Sequence, residues 1–215
     1  MGAIARNIAN NITTSGVFTP DALDSGSVTG ITALANASDG ITLISSQTAS
    51  ASASISFTTG IDATYKAYKF VFINIHPATD NAYFTFQANA AGGSGYNETI
   101  TSTMFIAYHE EDGSDSGLAY VTSGDQANGT SFQEIARGTR NEADDNCSGY
   151  LHLFNPSSTT FVKHYMACAN TVGTAESDVY HTAGYFNTTS AIDEIQFKMN
   201  SGNIDSGTIY LYGIK

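Results

Sequence analysis

The chain has 215 residues, 41% of them hydrophobic and only 13% charged, with twelve Tyr, twelve Phe and no Trp. This apolar and aromatic content is enough to fill a core, which argues against global disorder. The formal net charge of −12 repels phosphate, so the composition also argues against nucleic-acid binding and against attachment to anionic membranes.

The first forty residues differ in composition from the rest of the chain. They contain one aromatic residue, Phe18, among Ala, Asn, Ser, Thr and Gly. An Ile at every fourth position from residue 4 is compatible with one short amphipathic helix, but large apolar residues are too few for the segment to bury itself. We predict an extended N-terminal arm over residues 1–40 that is ordered only against a partner surface; the alternative is an unattached tail. The partner-binding candidates in this arm are Ile4, Ile8, Ile12, Val17, Phe18 and Leu23.

The sequence contains neither a recognisable targeting segment nor a membrane span. Residues 1–10 include one Arg and no apolar core of a signal peptide, so we expect no export by that route. The longest apolar stretches fall far short of the ~20 residues of a transmembrane helix. We therefore expect no membrane insertion.

From Ile41 onward, apolar and polar residues alternate with a period of two, and no apolar stripe of a helix appears. Runs rich in Val, Ile, Thr, Tyr and Phe, separated by Gly, Asn, Asp and Ser, predict eleven strands. Eleven short strands without crossover helices indicate an all-β domain over residues 41–215, an antiparallel β-sandwich of jelly-roll-like type. The predicted strands are Ile41–Ser45, Ser54–Thr59, Lys66–Ile75, Ala82–Asn89, Thr103–His109, Leu118–Thr122, Gly149–Asn155, Thr160–Ala169, Val179–Phe186, Ile192–Met199 and Thr208–Ile214.

The alternation also assigns side chains of the last two predicted strands to faces. The expected inward side chains of Ile192–Met199 are Ile195, Phe197 and Met199. The expected outward side chains of that strand are Ile192, Glu194, Gln196 and Lys198. In the final strand, Ile209 and Leu211 are expected to lie on the opposite face from Thr208, Tyr210 and Tyr212.

Two cysteines lie on either side of the turn signal Asn155–Ser158, which separates two predicted strands. A tight hairpin centred on that turn pairs residues whose numbers sum to 315, which makes Cys147 and Cys168 cross-strand neighbours. The pair is then either two reduced core thiols or a disulfide. In the same register His152 and His164 lie on opposite faces, and none of the five His has metal-ligand spacing.

Two longer gaps between predicted strands, Ala90–Ser102 and Ser123–Ser148, are either binding loops or plain solvated surface. Carbohydrate sites favour aromatic platforms, and Tyr can supply one where Trp is absent. The candidate glycan-facing residues are Tyr96, Asn97 and Tyr120. The acidic run Glu110–Asp115 could surround Ca²⁺ with oxygen ligands, but it lacks EF-hand spacing, so a solvated hairpin loop is the stronger interpretation.

The sequence lacks the motifs of common catalytic sites, including Gly-x-Ser-x-Gly and a Gly-rich phosphate loop. A glycoside hydrolase needs two carboxylates about 5–10 Å apart. The carboxylates that could serve, which sequence alone cannot pair, are Glu98, Glu110, Glu111 and Glu134. We expect no enzymatic activity, no cofactor and no metal, with a glycan-degrading enzyme as an alternative.

Three segments of the chain resemble fibre and virion structural proteins of tailed bacteriophages, especially marine ones. The segments are Asn10–Leu23, Lys66–Asp80 and Ser201–Lys215, and the last is similar to a common terminal strand of such proteins. These motifs are structural rather than catalytic. Together they span the opening, one central strand and the end of the chain.

The resemblance implies a virion structural protein, either a tail fibre or a capsid-decoration protein. In such proteins an N-terminal arm attaches to other capsid or tail proteins, and a β-rich domain is displayed outside. They are often trimers, assemble in the host cytoplasm and carry no catalytic residues. The arm would lie along a neighbouring subunit, where main-chain hydrogen bonds contribute affinity. The alternative function is a carbohydrate-binding module that recognises host surface glycans, which could coexist with the structural role.

Overall fold

A computed structural model of the protein describes residues 40–215. Within that range the chain forms β-strands joined by turns, with a single 3-10 turn at Thr122–Gly124 and no α-helix. The strands are β1 (Ile41–Thr48), β2 (Ile55–Phe57), β3 (Ala67–Pro77), β4 (Ala82–Ala90), β5 (Ile100–Glu110), β6 (Ser116–Tyr120), β7 (Ala127–Gly129), β8 (Gln133–Thr139), β9 (Cys147–Phe154), β10 (Lys163–Val172), β11 (Glu176–Phe186), β12 (Ile192–Met199) and β13 (Ile204–Ile214). The predicted all-β fold is confirmed.

The strands form two antiparallel sheets that pack face to face. The large sheet has nine strands in the order β1-β13-β3-β9-β10-β11-β5-β6, with β7 beside β5. The small sheet has four strands in the order β2-β12-β4-β8. Eight strands are nested as in a jelly roll: β1 pairs with β13, β2 with β12, β3 with β9, and β4 with β8. The other five are inserted after β4 and after β9, and they widen the large sheet only.

Aromatic side chains from both sheets fill the space between them. Phe197 of β12 is fully buried. Its ring centroid lies 5.3 Å from that of Phe70 on the large sheet and 5.7 Å from that of Phe84 on the small sheet. Each such aromatic pair stabilises the fold by about 0.5–1.5 kcal/mol beyond simple burial. Ile209 and Leu211 of β13 are also fully buried, as their alternation predicts.

The eleven predicted strands are all present, with ends that differ by a few residues. The prediction of an unbroken loop over Ser123–Ser148 is wrong, because β7 and β8 lie inside it. The segment that forms β8 is short and mostly polar, with Ile135 and Ala136 as its only adjacent apolar residues. It is a strand because Gln133, Ile135 and Ala136 are buried between the sheets, a tertiary effect that propensity does not capture.

One face assignment in β12 is wrong. Ile192 was expected outward but is buried. A register shift between Ile192 and Glu194, where β12 pairs with β4, breaks the alternation at this point. The inward positions of Ile195, Phe197 and Met199 are confirmed.

The β9–β10 hairpin is present, but its register differs from the prediction. Paired residue numbers sum to 318, because residues 155–162 form a longer connection than a tight turn. Cys147 therefore faces Thr171, and Cys168 faces Tyr150. Both cysteines are free and project to opposite sides of the sheet, so the disulfide interpretation is wrong.

The same register corrects the prediction for two histidines. His152 pairs with Met166, and Phe154 lies opposite His164 in the continuing ladder, so His152 and His164 share one face of the large sheet rather than opposite faces. The hairpin thus concentrates histidines on one side of the protein.

The predictions made for the N-terminal arm fall outside residues 40–215 and stay predictions. They concern Ile4, Ile8, Ile12, Val17, Phe18 and Leu23. In the part of the chain that the structure describes, no helix is long and apolar enough to cross a membrane.

Candidate functional site

The side of the large sheet that faces away from the small sheet, here called the outer face, is nearly uncharged and rich in exposed apolar side chains. Among the described residues, Lys69 is the one formally charged strand residue within it, and Asp205 lies at its rim beside His76. The large exposed hydrophobic residues on this face are Ile41, Leu43, Ile73, Phe105, Leu118, Tyr120, Tyr150, Phe154 and Met166. Aromatic enrichment combined with charge depletion is the composition of an interface core, so the outer face is a candidate interaction surface.

A groove of about 560 Å³ crosses the outer face where β5, β11 and β10 run side by side. Its lining combines small residues such as Ala183 with the large side chains Phe154, Met166 and Tyr185. The surface is therefore grooved rather than flat and can accept protruding apolar side chains.

Histidines are concentrated on the outer face. The ring centroid of His152 lies 5.3 Å from that of Tyr150. Burial lowers the pKa of His152, and the positive charge of Lys69 lowers it further. His164 and His181 project from the same face. These rings add flat, polarisable contact area to the outer face.

A second candidate site is a cleft of about 250 Å³ at one end of the sandwich, here called the polar cleft. It forms where the start of β4, the end of β8, the β10–β11 turn and the start of β11 meet. The pairing of β8 with β4 is irregular there, and Gly138 has a φ of 68°, as expected of a bulge that redirects side chains. The side chains in the lining include Asn81, Tyr83, Arg137, Glu176, Asp178 and Tyr180.

Two carboxylates enter the polar cleft from the same strand. Glu176 and Asp178 are two residues apart on β11, so they share a face with their Cα atoms about 7 Å apart. Asp178 is only 5% exposed, and its Oδ1 accepts no hydrogen bond from the described residues. Burial, together with repulsion from Glu176, raises the pKa of Asp178 to about 6. Burial also raises the pKa of the neighbouring Tyr180 above its ordinary value.

Two further features set the charge and shape of the polar cleft. Arg137 donates from Nε to Oε2 of Glu134 and from Nη1 to Oγ of Ser123, the latter at 3.0 Å. Since Glu134 already neutralises this guanidinium, the charges of Glu176 and Asp178 are left in excess. A Cβ at Gly173 would lie 2.6 Å from Cγ of Glu176, so this glycine leaves the space that the Glu176 side chain occupies.

The candidate glycan-facing residues do not come together. The Tyr96 hydroxyl donates to Oε2 of Glu194 on the small sheet at 3.0 Å, and Asn97 is exposed beside it. Tyr120 lies on β6 at the edge of the large sheet, where its hydroxyl donates to Asp125. Tyr96 and Tyr120 thus belong to different surfaces.

The acidic run Glu110–Asp115 comprises the end of β5 and the exposed turn of the β5–β6 hairpin, as expected for a solvated loop. Its carboxylates accept hydrogen bonds from the loop itself: the Ser114 amide donates to Asp112 Oδ1 and the Ser114 hydroxyl to Glu110 Oε2, both at 2.8 Å. Within residues 40–215 no group of three or more His, Cys, Asp and Glu side chains is arranged to hold a metal ion.

The carboxylates considered for catalysis are dispersed. Glu98 accepts a hydrogen bond from the Ala90 amide at 3.0 Å on the small-sheet side. Glu110, the last residue of β5, pairs with Glu176 of β11, whereas Glu111 lies in the exposed hairpin turn. Glu134 borders the polar cleft as the partner of Arg137.

The carboxylates of the cleft, Glu176 and Asp178, were missed at the sequence level because they precede the predicted strand Val179–Phe186. Their alternation with Tyr180 is the signal that would have extended that strand.

Comparison with protein-family models, with curated proteins and with solved structures finds no match to the chain. The outer face and the polar cleft are therefore the two features from which a function can be proposed.

Proposed function

We propose that the chain is a non-enzymatic structural component of a tailed-bacteriophage particle, as a tail fibre or capsid-decoration protein, and that its outer face joins copies of the chain. The single observation that carries the proposal is the concentration of exposed apolar side chains on one nearly uncharged face of an acidic protein. The jelly-roll order of the strands is consistent with it, since capsid and lectin domains share this architecture.

A second copy of the chain is the occupant that best fits the outer face. A strongly acidic protein repels itself, and this face is where two copies can approach without bringing strand carboxylates together. A charged partner would need complementary charges, and the described strands offer only Lys69 there. The outer face has eight strands about 4.8 Å apart, each about seven residues long, so it covers roughly 800 Å². This area matches one side of a standard protein interface.

Self-association of the full chain tests the interface. We expect light scattering coupled to gel filtration at pH 7.5 to give a mass of two or three times 22.6 kDa. Met166 lies on the outer face with more than half of its side chain exposed. Met166→Lys places a charge in the interface and should reduce the mass to one chain, because an unpaired charge is costly to bury.

Phe161→Lys is the matched control, because Phe161 is exposed in the β9–β10 connection and not on the outer face. It should leave the mass unchanged. A wild-type mass of one chain, or an unchanged mass for Met166→Lys, would contradict the interface. The virion role itself is tested by mass spectrometry of purified particles of the phage that encodes the chain, where absence of its peptides overturns it.

A glycan-degrading enzyme receives less support from the geometry. The two carboxylates of a glycosidase flank the scissile bond, whereas Glu176 and Asp178 stand side by side on one strand. Carbohydrate recognition is the second candidate function, and the polar cleft offers it a better site than the loop residues Tyr96 and Asn97.

A further inference from the structure

The polar cleft contains a buried carboxylate oxygen, Oδ1 of Asp178, that has no hydrogen-bond partner among the described residues, and a ligand can supply one. Buried polar groups are almost always hydrogen-bonded, and a buried charge is costly unless it is paired. Asp178 is 95% buried, yet its Oδ1 has no hydrogen-bond partner among the described residues, and the residue lines the cleft. Because assembly through the outer face does not use this group, its presence calls for a separate explanation.

The net charge of the polar cleft determines which sign of charge its ligand must carry. Glu176 stands beside Asp178 on the same face of β11, and Arg137 is already paired with Glu134. The net negative charge repels phosphates and acidic sugars and attracts a cation. A cation between the two carboxylates would relieve both the burial of Asp178 and its repulsion from Glu176.

The rest of the lining suits a hydroxyl-bearing body around that cation. Tyr83 and Tyr180 offer hydroxyl groups, and Asn81 and Thr174 offer further hydrogen-bonding groups. The volume of about 250 Å³ is below the roughly 300–1,000 Å³ of sites for drug-sized ligands, so the cleft fits one small ring.

We propose that the polar cleft binds a single amino-sugar residue, with its free ammonium group held by Glu176 and Asp178 and its hydroxyls by the surrounding polar side chains. This site is independent of the assembly role proposed above. It also differs from the loop surface around Tyr96.

Binding of D-glucosamine, N-acetyl-D-glucosamine and D-glucose to the full chain at pH 7.5 tests the proposal, followed by isothermal titration calorimetry or amide chemical shifts. Glucosamine should bind at least tenfold more tightly than the other two, because they lack the positive charge. Equal binding of the three sugars, or no binding of glucosamine, overturns the proposal. Methylammonium that binds as tightly as glucosamine overturns the assignment to a sugar.

Variants locate the site. Asp178→Asn and Glu176→Gln should each weaken glucosamine binding at least tenfold while circular dichroism stays that of the wild type. Asp115→Asn removes an exposed carboxylate of the β5–β6 turn and should leave the affinity unchanged. Undiminished binding by both cleft variants places glucosamine elsewhere and overturns the proposal. Each binding measurement is made on protein whose mass has been determined by light scattering. A failure of glucosamine binding is therefore distinguishable from a failure of the outer-face interface.

Discussion

Asp178 illustrates how a single buried side chain couples ligand binding to stability. Its pKa of about 6 in the native state lies above the value of about 4 for an unfolded Asp. The native state therefore binds this proton more tightly, so the contribution of Asp178 favours folding below about pH 4 and is lost as the pH rises through 6.

We predict that Asp178→Asn increases the free energy of unfolding at pH 8 by about 1–3 kcal/mol, because it removes a desolvated charge next to Glu176. At pH 4 the variant and the wild type should have nearly equal stability, since Asp178 is then protonated. Urea denaturation of both proteins at the two pH values measures the difference. A variant that is less stable than the wild type at pH 8 would show that the ionised carboxylate is well solvated.

Strand β12 helps to hold the two sheets together, because Phe197 touches aromatic rings of both. We expect Phe197→Ala to lower the free energy of unfolding by about 3–5 kcal/mol through lost burial and a cavity. Phe161→Ala makes the same chemical change at an exposed site and should stay within about 0.5 kcal/mol of the wild type. Urea denaturation at pH 7.5 measures both, and similar effects of the two substitutions would contradict the assignment of the core.

The elements differ in how far sequence alone predicts them. Long alternating runs such as β13 reveal both the strand and its buried face, because Ile209 and Leu211 are the residues that pack inside. Strand β8 cannot be predicted from its own sequence, because burial against residues that are distant in sequence stabilises it as a strand. The position of Ile192 and the register of the β9–β10 hairpin depend on a bulge and on the length of a connection, which the pattern of side chains does not encode.

The polar cleft is harder to predict from the sequence than any of the strands. Its lining comes from residues near 81, 137, 173 and 178. The pairing of β4 with β8 and the packing of the inserted strands β10 and β11 against β8 bring these segments to one end of the sandwich. Composition shows only that the chain is acidic. The fold decides that Glu176 and Asp178 share a cleft while the outer face contains almost no charge.

At the scale of the whole molecule, this segregation of charge makes self-association depend on ionic strength. Copies that each carry a formal net charge of −12 repel one another. Dissolved salt screens the repulsion between exposed charges. Among the described strands, the outer face itself contains Lys69 and, at its rim, Asp205, so screening removes little attraction from the contact.

We therefore predict that raising the salt concentration from about 50 mM to about 500 mM at pH 7.5 increases the fraction of associated chains. Light scattering coupled to gel filtration under the two conditions measures the mass. Met166→Lys should stay at the mass of one chain at the lower salt concentration, because its added charge lies within the contact. Dissociation of the wild type at the higher salt concentration would mean that ion pairs outside the outer face hold the copies together.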